Sequence, residues 1–522
     1  MTTGRGGRVL MIGIDAAEAR LVEAWTEDGT LPNLARLKDR GAYGRLSSSA
    51  RWLVGSPWPT FYTGTGPQTH GLYHYLMWDP RRMEAVRPGR EDFPDPPFWR
   101  RLGAERRVVA VDVPFVFPPE PFDGVELNGW ATHDRLGPPS TYPAELLDEI
   151  DRTIGPPPLK DEVHRPFSVE RLLEVRDELE HATEAVTDAA ELLAGRESWD
   201  LCLACYSATH RGGHKLWIDP AAPPPDDESG HELRTALRDI YVTIDRGIGR
   251  LVEVAGPEAA VLVFALHGMG PNTCHTQVLG EMVRRILAGE GAGDGKKNRT
   301  MGLLQRARAL VPLAVRNEVK RRLPVVLQDR LTSFWRTGGL DWSTTRAFCP
   351  VADLQGYVRI NLRGREANGI VEPGTEYDAL CAEIAEGLRS FVDADTGEPL
   401  VRGVERADHL FPPGPRRDWL PDLLVDWTPT SVLTRRSVAS PRFGTIAWPD
   451  PGRPPDGRSG NHRTQGWLLA AGPGVSGGEI LQGDILDIAP TALGMLGLEP
   501  FSEMEGRILA GVARSNGSGS AA

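Results

Sequence analysis

The sequence predicts an α/β fold built on a doubly wound, mostly parallel sheet with inserted cap segments. Short uninterrupted apolar runs recur along the chain, and amphipathic stretches long enough for crossover helices separate several of them. Histidine is concentrated where such runs end, in residues 205–214, 264–269 and 460–463, and the first run ends on Asp15. Open α/β sheets place ligands beyond the carboxyl ends of their strands, so a parallel sheet would gather these four pieces at one edge. That is the sequence pattern of a metal-dependent active site.

Residues 9–14 read as a fully buried strand, residues 18–27 as the helix after it, and residues 31–41 as a second helix closed by Gly41. Further buried strands are expected at 108–113, 201–206, 260–265, 423–427 and 466–471. Amphipathic residues 169–194 and 232–254 supply long crossover helices, and residues 487–496 a late one. Residues 80–165, rich in Pro, Arg and Asp, read as loops with short strands, one of them at 124–128.

The α/β domain is expected to span residues 8–510, with a basic helical cap inserted at 272–345. Within the cap, residues 296–336 carry eleven basic side chains against Glu318 and Asp329, a local charge of +9 in a chain of net charge −12. Leu303, Ala307, Leu310 and Ala314 recur there at helical spacing. This composition reads first as a solvated helical lid that could draw in an anionic substrate, with a membrane or partner surface as the lesser reading. Residues 513–522 are too polar and small to pack and are expected to be disordered.

The acidic balance argues against a nucleic-acid polymer as partner, since such binding needs a basic surface that displaces counterions from phosphates. The 53 arginines against 6 lysines imply no ligand. Five scattered cysteines make no disulfide framework, and the Cys202/Cys205 pair lies inside an apolar run, so buried reduced thiols are expected. The opening residues lead into an apolar run too short for a signal segment or a membrane span, and a cytoplasmic protein is expected. Oligomeric state is not legible.

The order Gly13-Ile-Asp15, Leu31-Pro-Asn-Leu, Trp58-Pro-Thr-Phe-Tyr-Thr63-Gly64 with His70-Gly71, then His267-Gly-Met-Gly-Pro and Gly460-Asn-His462 resembles the alkaline phosphatase superfamily. Within it the chain is most similar to the type I phosphodiesterase/nucleotide pyrophosphatase group and its bacterial phosphohydrolase/phosphomutase-like relatives. The resemblance implies a hydrolase or transferase of small phosphodiesters or related phosphate or sulfate esters. It further implies zinc, or manganese in its place, and a Ser or Thr nucleophile at a helix start. One metal site would fall on His210, His214 and His462, where His210 takes the place of an Asp. Three imidazoles with an open position form a known catalytic zinc arrangement.

The second site would fall on Asp15 and His267, but the family's Asp-His pair reads Leu266-His267 here. The nucleophile position falls on Val54. Neither Val nor Leu can coordinate a cation or attack phosphorus. The nearest hydroxyl is Ser56, which precedes Pro57 at a sound helix start and reads equally as a cap or as the attacking group. Asp15 reads as a metal ligand or as a cap of the next helix, and His70 as a structural hydrogen-bonder. A degenerate member that keeps one metal site and acts as a binding or regulatory protein is the alternative reading, because Val54 and Leu266 have lost the family's chemistry.

Overall fold

In the computed structural model, the described residues are 7–103, 106–133, 135–159, 165–196, 198–289, 323–337, 339–352 and 355–512. They form two compact units: the described residues among 1–72, 90–272 and 454–522 make the first, those among 73–89 and 273–453 the second. Residues 290–322 of the expected cap and the expected disordered tail lie outside the described residues.

The first unit is built on a nine-stranded sheet. At its centre the strand Arg8–Ile14 lies parallel to Leu201–Tyr206 on one side and to Ala259–Ala265 on the other. Val108–Val111 and Gly124–Asn128 continue the parallel order outward. Gln465–Ala471 runs antiparallel to Ala259–Ala265 and to the strand Ala42–Ser47. The sheet is thus mixed but mostly parallel at its core, as the apolar runs predict.

The three central strands, Arg8–Ile14, Leu201–Tyr206 and Ala259–Ala265, are apolar almost without a break because both faces are covered. Val9, Met11, Ile12, Leu203, Leu262 and Val263 are all fully buried. Burying a side chain of this size is worth about 1.5–3 kcal/mol, so changing one to a charge would break the sheet's centre. The long helices Val169–Arg196 and Glu228–Ala255 contribute Ala182, Val186, Ala189, Ile240 and Ile244 to the same apolar cluster as Ile12 and Ala204. Asp227 caps the second of them, accepting from the Gly230 amide at 2.8 Å.

The second unit has its own core around Val358, Ile360, Ile384, Leu388 and Leu423. Its four-stranded sheet joins Gly356–Ile360, Leu423–Trp427 and Val401–Arg406 in antiparallel pairs. Residues 423–427 are therefore a buried strand, as expected, but of this sheet and not of the parallel one. An apolar run reports burial on both faces, not which sheet supplies the neighbours.

Candidate metal centre

Asp15 follows the strand Arg8–Ile14 directly, and its amide donates to the Tyr206 carbonyl of the neighbouring strand at 2.9 Å. Ala16 then turns through a positive φ of 59°. The helix Ala208–Leu216 begins two residues beyond the strand Leu201–Tyr206 and carries His210 and His214 one turn apart on one face. His267 stands two residues beyond the strand Ala259–Ala265. His462 comes from the strand Gly460–Arg463, which pairs antiparallel with Gly268–Pro271 and sets His462 opposite Met269. A Cβ at Gly460 would meet the Gly213 carbonyl at 2.0 Å, so only glycine lets this strand approach the helix.

The structure brings all five expected ligands together and buries each to 9% exposure or less. One ligand atom from each of His210, His214 and His462 lies within 4.8 Å of the others, and Asp15, His210 and His267 form a second such group. His210 belongs to both. The ring centroids of His210, His214 and His462 are 4.7–4.9 Å apart, and His267 lies 4.9 Å from His462.

Hydrogen bonds fix the tautomers. Burial raises the Asp15 carboxyl's pKa, but the hydrogen bond from His210 and the positive charge that His210, His133 and His267 carry in acid more than offset it and hold the group below the usual carboxylate range. An ionised carboxylate only accepts, so the His210 Nδ1 that lies 3.0 Å from Asp15 Oδ2 carries the proton. The His214 Nδ1, 2.9 Å from the Gly460 carbonyl, carries its proton for the same reason. With both rings neutral, both Nε2 atoms carry lone pairs, and they face one another at 3.2 Å. Two lone pairs at that distance repel unless a proton or a cation lies between them. A carboxylate or carbonyl on the far nitrogen is also how metal-binding imidazoles are usually held.

His267 strengthens the case. Neither of its ring nitrogens has a hydrogen-bond partner among the described residues, although the side chain is 2% exposed. Leaving such a group unsatisfied costs about 1–3 kcal/mol, which coordination would remove. Burial lowers its pKa to about 4 and pushes that of His462 well down, so both rings are neutral and able to ligate at pH 7. The donor set therefore fits a divalent cation.

Two neighbours escaped the sequence reading. His133, in the loop after the strand Gly124–Asn128, packs its ring on His210 with centroids 3.6 Å apart, and its Nδ1 lies 3.7 Å from Asp15 Oδ2. Trp58 donates its indole N–H to Asp15 Oδ1 at 3.0 Å. The Trp58 motif was legible as part of a family pattern, but nothing in it announces this bond. His133 has no motif at all.

Ser56 stands at the start of the helix Pro57–Thr63 and is fully buried. Its hydroxyl lies 2.6 Å from the Leu53 carbonyl and 2.7 Å from Ser49 Oγ, and it makes no capping bond to the helix. His70 accepts from the Leu72 amide at Nδ1 and meets Thr60 Oγ1 at 3.0 Å through Nε2. Leu266 is buried beside His267, and Val54 lies in the turn before Ser56.

A mostly parallel sheet that collects histidine and aspartate at its carboxyl edge is the architecture expected from the resemblance to the alkaline phosphatase superfamily. Residues 9–409 match the model of the type I phosphodiesterase / nucleotide pyrophosphatase family, and the chain belongs to that family. Phosphonoacetate hydrolase from Sinorhizobium meliloti 1021, solved with phosphonoformate and with phosphonoacetate, is similar at 15% identity with a TM-score of 0.51. The match covers 94% of this chain and 96% of that one. Human ectonucleotide pyrophosphatase / phosphodiesterase 5 is 12% identical, with 96% of this chain and all of that one covered and a TM-score of 0.48. At 15% identity the first likeness bears on the fold alone. No curated protein matches the chain.

Proposed function

We propose that the chain is a metal-dependent hydrolase, or transferase, of a small-molecule phosphodiester or related phosphate ester. The observation that carries this reading is the facing pair of His210 and His214 Nε2 atoms, 3.2 Å apart with both Nδ1 protons already committed. His210, His214 and His462 would hold one cation, and Asp15 with His267 would serve a second, weaker position that lacks the carboxylate replaced by Leu266. An imidazole-rich set suits zinc better than manganese. A bound divalent ion would polarise a phosphoryl oxygen and offset the charge that builds on it during attack.

Within this reading the chain's own residues have separate tasks. Asp15 fixes the His210 tautomer, Gly460 fixes that of His214, and Trp58 keeps Asp15 from turning. Ser56 is the proposed attacking group: its oxygen would bond to phosphorus as the P–O bond of one ester arm breaks and that alcohol departs with the serine's proton, and water would then release the remaining phosphomonoester and restore the hydroxyl. For that the hydroxyl must first leave the Leu53 carbonyl. The substrate class extends to phosphonates and sulfate esters, which offer the same tetrahedral anionic oxygens, and excludes nucleic-acid polymers for an acidic chain. All five cysteines are free and four are buried, which supports a reducing, cytoplasmic setting. Among the described residues no helix is long and apolar enough to cross a membrane.

A second reading, a one-metal binding protein, is favoured by Leu266 and Val54. Metal analysis of the purified chain, combined with a panel of phosphomonoester, phosphodiester, phosphonate and sulfate ester substrates, decides between the two. One tightly held zinc and turnover of at least one ester is expected. Metal without turnover of any ester would establish the binding protein, and no metal at all would overturn both.

A further inference from the structure

Ser56 is fully buried, and among the described residues its hydroxyl can donate to two groups, the Leu53 carbonyl at 2.6 Å and Ser49 Oγ at 2.7 Å. A peptide carbonyl accepts a hydrogen bond but is too weak a base to take the proton itself. Ser49 is a different kind of partner, because a hydroxyl takes up one proton while it releases its own. It is only half-buried, and its turn, Ser49–Arg51, packs beside the strand Gly460–Arg463 that carries His462.

The groups behind Ser49 hold it in this role. His70 Nδ1 accepts from the Leu72 amide at 3.0 Å, so the neutral ring carries its proton on Nε2 and donates from there to Thr60 Oγ1, also at 3.0 Å. Thr60 Oγ1 lies 3.4 Å from Ser49 Oγ and has its own O–H to give. Ser49 thus accepts on its buried side, from Thr60 and from Ser56, and its own proton is left for the more open side.

We propose that Ser49 is the proton relay of Ser56, an inference that rests on Ser56 being the attacking group. As Ser56 Oγ bonds to phosphorus, one ester P–O bond breaks with its electron pair on the alcohol oxygen. The Ser56 proton moves to Ser49 Oγ, the Ser49 proton moves to a water, and that water gives a proton to the departing alcohol. In the second step water adds its oxygen to phosphorus, and the bond to Ser56 breaks with its electron pair on Oγ. The relay then runs backward and returns the attacking water's proton to Ser56.

The test compares the full-length wild type with Ser49→Ala, Ser49→Thr and Ser56→Ala on bis(p-nitrophenyl) phosphate. Ser49→Ala should lower kcat about 100-fold or more, with KM and metal content unchanged. Ser49→Thr keeps a hydroxyl and should stay within about tenfold of the wild type. A residue that merely fills space would tolerate Ala better than the larger Thr. Peptide mass spectrometry of acid-quenched wild type should find the phosphoryl group on Ser56. Finding it on Ser49 would overturn the relay, since Ser49 would then be the attacker. Near-normal turnover of Ser49→Ala beside an inactive Ser56→Ala would also overturn the relay, yet leave Ser56 as the attacking group. Near-normal turnover of Ser56→Ala would remove that reading and the relay with it.

Discussion

The Trp58 indole N–H donates to Asp15 Oδ1 at 3.0 Å, which leaves Oδ2 for His210. The carboxylate is thus held at both oxygens, and its orientation sets that of the His210 ring. Gly13 makes room for this arrangement, because a Cβ there would meet the Trp58 ring and Cys205 Sγ, each at 2.8 Å. Trp58→Phe keeps the ring but removes the donor, and it should weaken retention of the metal about 10- to 100-fold, as loss of a group that orients a ligand commonly does. Competition with a chelator measures this. Unchanged retention would show that the indole merely fills space.

Replacing Ser56 by Ala should lower turnover by at least about a thousandfold with metal content and fold intact, if its oxygen attacks phosphorus. The hydrogen bonds that Ala loses at Leu53 and Ser49 would cost about 1 kcal/mol of stability. Steady-state kinetics on the best ester, alongside urea unfolding, separates the two effects. Near-normal turnover would leave water as the attacking species and end the covalent route.

The centre of the fold was legible because residues 9–14, 201–206 and 259–265 are apolar almost without a break, the mark of strands covered on both faces. The strand Ala42–Ser47 was not, because it is only half covered and carries Gly44 and Arg45 between its other positions. The cluster of Asp15, His210, His214, His267 and His462 was legible because four stand at or just beyond strand ends or on the helix that follows one, and His462 sits in a glycine-led motif. His133 was invisible, since it lies in an irregular loop whose position depends on a group distant in sequence, Asp112. The inward face of the helix Val325–Thr337 was equally hidden: its spacing of apolar residues is ordinary, and only the partners of Ser333 and Asp329 reveal which face turns inward.

His133 packs on His210 at 3.6 Å between centroids and lies on the Asp15 side of that ring. It can restrain His210 without ligating. His133→Ala should therefore loosen the cation proposed at His210 about tenfold or more while leaving thermal stability of the metal-free chain little changed. Titration with zinc, followed calorimetrically, reads the first, and scanning calorimetry without metal reads the second. Equal affinity in the two chains would reduce His133 to a wall of the site.

The loop that carries His133 is tied down by Asp112, whose carboxylate accepts from the Trp130 and Ala131 amides at 2.7 and 2.9 Å. Asp112 is fully buried, and burial outweighs those two bonds, raising its pKa from 3.8 to about 6. The folded chain thus holds a proton on this group that the unfolded chain has already released between those two pH values. The contribution to stability is complete below the unfolded value and is lost as pH rises through about 6. Asp112→Asn cannot titrate. The stability of the wild type relative to that variant should therefore fall between about pH 4 and 7, by roughly 3 kcal/mol at most. Urea unfolding of both chains across this range measures the difference. Because global acid effects are common to both, a flat difference would mean that the Asp112 carboxyl is not raised and that its two amide bonds fully offset its burial.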